Sequence, residues 1–377
     1  MTDLAGKPDG LGKLKESDKQ GKRRFELLAL GSAIVDVIVT SDDSSIDRLG
    51  LTKGQMALVG DARSGEIIDS VGSGVKSCGG SAANTAIGFS MLGGSSAFIG
   101  KIADDHLGEM FAKGMDNYGV KFFPVTTVAV SSIDGSRKDR LHQDSDRSVS
   151  TGSCVVLATP DGERTMATNL GAASTLVSDE IDATLASDCA VFYVEAYLLD
   201  IPAAISGITN AMEQARRSGN KVALSLSDKS CVVRHRAELL QFISGYVDIL
   251  FGNSSEFTTL FSVSNIAKAA EEAAASGITA ALTAGDKGSL VVSPAGQIFD
   301  IDAVPAERVV DSTGAGDIFA AGFLYGLLHG GNLVDCARLG SVCASETVTH
   351  LGSTPKKDLR ALAEDNGALI GEYSSPK

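Results

Sequence analysis

The stretch from Val309 to Gly330, VVDSTGAGDIFAAGFLYGLLHG, constrains the fold most, because a β-rich run ends there at a glycine turn and a long apolar helix follows. The turn, Gly314-Ala315-Gly316, carries almost no side chain, so its backbone N–H groups can approach a ligand closely. The dipole of the following helix adds a partial positive charge behind them. The pattern therefore predicts an anion site.

Asp317 follows this turn and is predicted to lie in the first turn of the helix. A carboxylate there is stabilised by the helix dipole and can still face a bound anion, an arrangement that favours phosphoryl transfer to a hydroxyl. The alternative is an ordinary glycine turn with an aspartate that only starts a helix. The helix after Asp317 is apolar on nearly every face, which implies deep burial and favours the functional interpretation.

The composition narrows the class of protein. The chain has 377 residues, of which 44% are hydrophobic, enough for a large core. Its formal net charge of −14 argues against nucleic acid or an anionic membrane as a partner. No apolar run reaches the roughly 18 residues of a membrane span, and no signal-peptide pattern is seen. These two absences lead us to expect a cytoplasmic protein. The six cysteines show no zinc-ligand spacing and are expected to be reduced, mostly buried thiols.

A second glycine loop lies at residues 77–94, SCGGSAANTAIGFSMLGG. Gly79 and Gly80 come just before the predicted helix start at Ser81, which places Asn84 on the first helical turn. By itself this loop fits a tight turn as well as a ligand site.

Asp36 is unusual because it lies within FELLALGSAIVDVIV, residues 25–39, which predicts one long buried strand interrupted by Gly31 and Ser32. A buried carboxylate is costly unless it is hydrogen-bonded. Asp36 is therefore expected either to cap a local turn or to bind a ligand hydroxyl.

Strands and helices are predicted to alternate from residue 171 onward, which indicates a parallel sheet covered on both faces. Ligands of such sheets bind at the carboxyl ends of the strands. Asn253 and Glu256 follow one strand end, the sequence TAGDKG at 283–288 follows another, and the glycine turn follows a third. These three strand ends are expected to converge on one ligand.

The remaining segments are simpler. Residues 1–23 are expected to be disordered, and the charged residues 131–150 to form an exposed, mobile loop. The tetrapeptide TPDG at 159–162 predicts a hairpin turn, with Arg164 on the returning strand. A last helix is expected at 355–364, with Thr354 as its N-cap and Pro355 at its first position.

The motif DSTGAGD at 311–317 resembles the C-terminal signature of the ribokinase-like (PfkB) carbohydrate and nucleoside kinases, and CGGSAANTAIGFSMLGG resembles their N-terminal signature. The match spans roughly residues 25–365. Within the family the chain is most similar to adenosine kinases and their bacterial-type relatives, through the stretches GSAIVDV, LGLTKGQM, TPDGERTMATNLGAA and DILFGNSSE.

The resemblance implies a doubly wound, mostly parallel α/β fold with helices on both faces and a small β-sheet lid. It divides the chain into a nucleotide-binding core at 24–39, 68–118 and 171–366, a lid at 40–67 and 119–170 with a polar insertion at 131–150, and a C-terminal tail at 367–377. It also implies a monomer or a homodimer formed through the lid.

For the acceptor side, the resemblance implies that Asp317 is the catalytic base and that the amides of Gly314, Ala315 and Gly316 hold the transferred phosphoryl group. Asp36, Gly79, Gly80 and Asn84 match positions that bind sugar hydroxyls. Gln55 matches a contact to the acceptor base. Arg164 would move onto the phosphoryl group as the lid closes, and the alternative is a solvated surface arginine.

For the donor side, the resemblance implies ATP and Mg²⁺. The residues that would bind ATP are Asn253, Thr283, Gly285, Gly288, Asp311, Thr313 and Ser341, of which Ser341 stands where ribokinases have an asparagine near adenine. Glu256 would hold Mg²⁺ through water. A monovalent cation is a further cofactor that the resemblance allows, since its family site consists of backbone carbonyls.

The expected function is therefore ATP-dependent phosphorylation of the primary hydroxyl of a ribonucleoside, with adenosine as the expected acceptor. One alternative is a sugar kinase acting on fructose or ribose. Another is a catalytically inactive, nucleotide-binding partner protein. Nucleic acid and membranes are not expected as partners.

Overall fold

The computed structural model describes residues 23–72, 74–127, 149–161 and 163–370. The predicted disordered segment up to residue 22, almost all of the predicted mobile loop and the end of the C-terminal tail lie outside the described residues. The strands are β1 (Phe25–Leu30), β2 (Ile34–Thr40), β3 (Met56–Leu58), β4 (Val75–Gly79), β5 (Ser96–Ala103), β6 (Lys121–Thr127), β7 (Gly152–Ala158), β8 (Arg164–Asn169), β9 (Cys189–Glu195), β10 (Lys221–Ser225), β11 (Ile249–Asn253), β12 (Thr279–Thr283), β13 (Ser289–Val292) and β14 (Ile298–Ile301).

The α-helices of the described residues are α1 (Asp43–Arg48), α2 (Asp61–Val71), α3 (Ser81–Met91), α4 (His106–Asn117), α5 (Ile205–Arg217), α6 (Lys229–Gly245), α7 (Ser254–Phe261), α8 (Ile266–Ala275), α9 (Ala315–Leu328), α10 (Leu333–Thr347) and α11 (Leu359–Asp365). Short 3₁₀ turns connect several of these elements.

A large sheet of nine strands, in the order β14-β13-β12-β11-β10-β9-β1-β5-β6, forms the centre of the molecule. The strands from β12 to β6 run parallel, while β13 and β14 are antiparallel additions at one edge. Alternate strand residues face opposite sides, as Leu27 and Leu28 do, and each side packs on its own helix layer. The predicted doubly wound α/β fold is confirmed.

Helix α9 is buried along most of its length, as its apolar sequence predicts. It packs between α3 and α10 on one face of the large sheet. A Cβ on Gly322 would lie 2.8 Å from the Cα of Gly340, so the glycines at this crossing let α9 and α10 approach closely. This packing holds the N-terminus of α9 in a fixed position.

A second sheet has five strands in the order β3-β8-β7-β2-β4. Its β7–β8 hairpin pairs antiparallel, in agreement with the predicted turn, of which Gly162 lies outside the described residues. One face packs on α1 and α2 through Val37, Ile46 and Ile67. The opposite face carries Ile34 and Cys154, which line a cavity.

The predicted interruption at Gly31 and Ser32 is present, but the two halves of the run at 25–39 do not form one strand, because β1 belongs to the large sheet and β2 to the small one. The chain leaves the large sheet at Gly31, where a Cβ would lie 2.6 Å from the carboxylate of Glu195. Strands β2 and β4 therefore lie outside the predicted lid segments although they belong to the small sheet, and β6 lies inside them although it belongs to the large sheet. A buried strand has the same apolar pattern in either sheet, so the pattern alone does not assign it.

Two further elements differ from the prediction. No strand precedes the glycine turn; instead the backbone N–H groups of Val310 and Asp311 donate to the carbonyl oxygen of Val348 at 2.7 and 3.2 Å. Helix α11 starts at Leu359 with Asp358 as its N-cap, because the N–H groups of residues 356 and 357 donate to Glu346 and stay outside the helix.

Within the described residues, no helix has the length and apolar character of a membrane span. All six cysteines are buried and unpaired. The same part of the chain contains no group of three or more histidine, cysteine or acidic side chains that could hold a metal ion by themselves.

Candidate active site

A cavity of about 720 Å³ lies between the small sheet and the carboxyl ends of the central strands of the large sheet. Strands β2, β3, β7 and β8 form one wall, and the starts of α3 and α9 form another. The ends of β9 to β12 close the far side. This is where ligands bind in doubly wound sheets.

Asp317 lies in the first turn of α9 and lines this cavity. The Ser81 hydroxyl donates to its Oδ1 at 2.6 Å and the Asn84 amide donates to its Oδ2 at 3.0 Å. Burial raises the pKa of Asp317 to about 6, although both hydrogen bonds favour the ionised form. A carboxylate of this pKa is ionised at neutral pH and still basic enough to accept a proton from a hydroxyl.

The glycine turn is shaped for close contact. Gly314 is the N-cap of α9 with φ of 77°, a conformation that favours glycine, and a Cβ there would lie 2.7 Å from the Cβ of Ser353. Gly316 is different, because no atom lies within 4 Å of the Cβ that a side chain would place there. The amides at the start of α9 therefore face open cavity, as an anion site requires.

Asp36 sits in the middle of β2 on the face that lines the cavity, so the ligand-binding alternative fits and the turn-capping one does not. Burial raises its pKa to about 7. A Cβ on Gly79 would lie 2.5 Å from the carboxylate oxygens of Asp36, so the glycine makes room for this side chain. Gly80 has φ of 97° and lines the cavity just before α3.

At the donor end, Asn253 and Glu256 cap α7. The Asn253 side chain accepts from the N–H of Glu256 at 3.1 Å, and Glu256 Oε2 accepts from the N–H of Asn253 at 2.8 Å. Both residues line the cavity, as do Thr283 and Gly285 beyond β12. Burial raises the pKa of Glu256 to about 7. Two polar strand ends and the glycine turn thus converge as predicted.

Arg164 links the small sheet to the glycine turn. Its guanidinium forms an ion pair with the buried Asp311 and donates to Thr313 Oγ1 at 3.1 Å. Asp311 also accepts from the N–H groups of Thr313 and Gly352, at 2.7 and 3.0 Å. Asp311 therefore fixes the shape of the turn and holds Arg164 beside it.

Some predicted site residues lie away from the cavity. Of the predicted set, the described cavity lining omits Gln55, Gly79, Arg164, Gly288, Asp311 and Ser341. Gln55 is exposed and its carbonyl accepts from Met166, whereas its neighbours Met56 and Leu58 line the cavity. A Cβ on Gly288 would meet the carbonyl of Ile301, so this glycine permits backbone packing.

Glu195 is a cavity residue that the sequence analysis missed. It ends β9, is buried, and accepts from the N–H groups of Ser32 at 2.7 Å and Ala82 at 2.8 Å. Burial raises its pKa to about 7. The signal available in the sequence was a carboxylate at the end of a strand, CAVFYVE, at the edge where ligands bind. Ser353, which contacts Asp36 and Asn84, was also missed.

A doubly wound sheet with a glycine anion site and a buried carboxylate at its strand ends defines an α/β enzyme of the kinase class. A model of the pfkB family of carbohydrate kinases matches residues 28–129 and 138–359, so the chain belongs to that family. It is an ATP-dependent kinase that acts on a hydroxyl group of a sugar or a nucleoside.

Solved structures of relatives agree with this assignment. A probable sugar kinase from Rhizobium etli is 33% identical, with 92% of this chain and 100% of that chain covered and a TM-score of 0.81. An adenosine kinase from Sinorhizobium meliloti is 35% identical, with 91% and 99% covered and a TM-score of 0.79. Among curated relatives, a 5-dehydro-2-deoxygluconokinase from Photobacterium profundum is 29% identical, with 73% of this chain and 80% of that protein covered.

Proposed function

We propose that the protein transfers the γ-phosphoryl group of ATP to the primary hydroxyl of a ribonucleoside, with adenosine as the acceptor. The observation that carries this proposal is the apolar lining on the same face of the small sheet as Asp36. Met56 and Leu58 line the cavity although they are 45% and 63% exposed, and Met166 lies beside them. Covering such side chains with a flat base removes apolar surface from water. A free sugar would leave these apolar side chains exposed to water.

The charge of the lining argues against an acidic acceptor. Some curated relatives are named for a deoxygluconate, and a sugar acid needs a cation to pair with its carboxylate. Arg234 is the single lysine or arginine in the described lining, and Asp200 already holds it by two hydrogen bonds of 3.0 and 2.6 Å. Asp36 and Asn84 instead suit neutral hydroxyl groups.

A neutral sugar is the second candidate. It is favoured by the similarity to the probable sugar kinase from Rhizobium etli, which is about as strong as the similarity to an adenosine kinase. The carboxyl-rich acceptor end would bind the hydroxyls of fructose or ribose in the same way.

In the proposed reaction, Asp317 accepts the proton of the acceptor hydroxyl as its oxygen attacks the γ-phosphorus. The bond between that phosphorus and the oxygen bridging to the β-phosphate breaks, and ADP leaves with the electron pair. The amides of Gly314 to Asp317 stabilise charge on the transferred oxygens. The small sheet acts as the lid that excludes water, and Arg164 stands where a lid residue reaches the phosphates.

The donor end fits a hydrated magnesium ion. Glu256 and Asn253 line the cavity with oxygen-bearing side chains, and Mg²⁺ prefers oxygen ligands while keeping most of its waters. A magnesium ion bound with ATP offsets phosphate charge. Glu256 would hold it through water, and its contact with the Asn253 N–H fixes the carboxylate in that position.

Release of ADP tests the proposal when adenosine, inosine, guanosine, ribose, fructose and 5-dehydro-2-deoxygluconate are compared as acceptors. The highest kcat/KM is expected with adenosine, and turnover confined to free sugars or to the acid rejects the nucleoside assignment. Replacing Asp317 by Asn should lower kcat by roughly 10²- to 10⁴-fold. ATP binding without turnover on any acceptor would favour the inactive partner protein.

A further inference from the structure

Ser353 connects three parts of the candidate site that are distant in sequence. It lies in the loop between α10 and α11 and is only 1% exposed. Its hydroxyl lies 3.1 Å from Asn84 Oδ1 and 3.3 Å from Asp36 Oδ2. Its backbone and Cβ also pack against Gly314, where they leave no room for a side chain.

The orientation of the Asn84 amide decides what Asp317 meets. In the structure Nδ2 donates to Asp317 Oδ2 at 3.0 Å, and Oδ1 points to Ser353. Turning the amide over would place Oδ1 against a carboxylate, where it has no proton to donate. The carboxylate of Asp317 accepts only from the NH₂ group, and a hydroxyl that donates to Oδ1 stabilises the same orientation from the other side of the amide.

We infer that Ser353 is a positioning residue, which holds the Asn84 amide so that it donates to Asp317 throughout the reaction. This inference rests on the proposed function of Asp317 as the base. Ser353 touches no reacting atom in this scheme and acts through Asn84. Its single proton goes to Asn84 Oδ1 or to Asp36 Oδ2, so a second route through Asp36 must be separated by experiment.

The backbone around Ser353 is held in place. The N–H of Gly352 donates to Asp311 at 3.0 Å, and Asp311 accepts from the N–H of Thr313 at 2.7 Å. The loop that carries Ser353 is thus tied to the glycine turn by the same buried carboxylate. Ser353 therefore presents its hydroxyl to Asn84 from a fixed backbone.

The charged groups around Asp317 determine how its pKa, and with it the pH profile of the reaction, responds to a substitution. Loss of the Asn84 hydrogen bond raises the pKa of Asp317, because that bond favours the carboxylate. Other titratable or charged groups around Asp317 come from several elements and would remain in place: Asp36 on β2, Glu195 and Tyr193 on β9, Tyr197 beyond it, Glu256 on α7, and Arg164 on β8 beside the glycine turn.

The test compares Ser353→Ala with the parent protein by the pH dependence of kcat/KM. We expect kcat to fall by roughly 10-fold. The acidic limb of the kcat/KM profile should move to higher pH by roughly 0.5 to 1 unit, because the hydrogen bond from Asn84 to the charged Asp317 is weakened. In an Asn84→Ala background, the same change should have less than a roughly twofold effect, because coupled residues are not additive. If instead the KM for the acceptor rises and the acidic limb of the profile stays in place, Ser353 acts through Asp36, and its positioning role toward Asn84 is refuted.

Thr354→Val is the matched control. Thr354 is the neighbouring buried hydroxyl, and its Oγ1 has no hydrogen-bond partner within the described part of the chain. This variant should keep the parental pH profile. If Ser353→Ala fails to fold, Ser353→Cys keeps nearly the same volume with a weaker donor and should shift the limb in the same direction.

A second readout does not depend on turnover. In protein labelled with ¹⁵N-asparagine, the Asn84 side-chain signal, assigned with Asn84→Ala, should titrate with Asp317 and lose this titration in Asp317→Asn. In Ser353→Ala the signal should titrate at higher pH. An unchanged midpoint overturns the positioning role. A parent protein that turns over no acceptor while showing this coupling would refute the proposed function and leave the contact intact.

Discussion

Gly316→Ala separates the space needed by the phosphoryl group from the stability of the fold. Gly316 is the second residue of α9, and a methyl group there would meet no protein atom within 4 Å. Since its φ is not in the left-handed region, alanine should stabilise the protein by about 0.4–1 kcal/mol and leave the melting temperature unchanged or slightly higher. The methyl group would nevertheless project into the cavity beside the amides that we propose hold the transferred phosphoryl group. We expect kcat to fall by roughly 10²- to 10³-fold, the usual effect of losing one such donor.

Gly314→Ala is the contrasting variant. Its φ of 77° costs roughly 1–2 kcal/mol for a residue with a Cβ, and the new methyl group would lie 2.7 Å from the Cβ and carbonyl oxygen of Ser353. Overpacking adds about 1–3 kcal/mol, so this variant should unfold at a clearly lower temperature.

Thermal unfolding and ADP release, measured on both variants, decide between these expectations. If Gly316→Ala keeps the parental kcat and KM for ATP, the phosphoryl group does not lie over that amide. If Gly316→Ala loses stability as Gly314→Ala does, its loss of activity reports a damaged turn, and the assignment of the open space to the phosphoryl group is refuted.

Three more predictions follow from buried charges. Arg164→Gln leaves Asp311 with only its two backbone donors, so the free energy of unfolding measured by urea titration should fall by about 1–3 kcal/mol. The KM for ATP should also rise, and an unchanged KM would show that Arg164 does not contact the phosphates. The folded-state pKa of Asp36, Glu195 and Glu256 lies near 7, above the unfolded values of 3.8 to 4.5, so the stability that these three groups contribute is fully present below the unfolded values and is lost as pH rises to 7. Stability should therefore fall between about pH 5 and 7, and a rise over this range would contradict the prediction. Glu195→Gln should make this decrease of stability with pH smaller. At pH 5 the variant should be less stable by about 1–3 kcal/mol, because the NH₂ group of the glutamine would meet a backbone N–H.

The sequence predicts those parts of the site that depend on local chemistry. Asp317 and Asn84 lie in the first turns of helices that follow glycine loops, and Asn253 with Glu256 forms a helix cap at a strand end. Each arrangement is set by a few neighbouring residues and by the dipole of one helix. The structure places all four beside one cavity, as expected.

Residues that depend on distant partners escape such reasoning. Glu195 is held by residues 163 and 113 positions away, and Ser353 contacts Asp36 across 317 positions. The start of α11 was misplaced for the same reason, because Glu346 binds the N–H groups of residues 356 and 357. The strand end at Glu195 was a local signal for a position near the ligand, but no local pattern marks its partners, and a serine with the neighbours of Ser353 is typical of an exposed loop.

The division into sheets shows the same limit for the fold. The apolar run at 25–39 gives the correct strand character, but its two halves serve different sheets because the chain bends where Glu195 requires a glycine. This bend also brings Asp36 to face Asp317 from the other side of the cavity. The strand error and the missed glutamate thus have one physical cause.

Three buried carboxyl groups and the half-buried Asp317 line this cavity, and desolvation raises the pKa of each, to about 6 for Asp317 and about 7 for Asp36, Glu195 and Glu256. Ionised carboxyl groups are costly in such a desolvated site. Hydroxyl donors at Asp36 and Asp317 and a hydrated cation at Glu256 would lower that cost, whereas an anionic acceptor would increase it. We therefore expect the electrostatics of the cavity to favour a neutral, hydroxyl-bearing acceptor and a donor that arrives with its metal ion, and we expect the apolar side chains of Met56, Leu58 and Met166 to favour the proposed nucleoside over a free sugar.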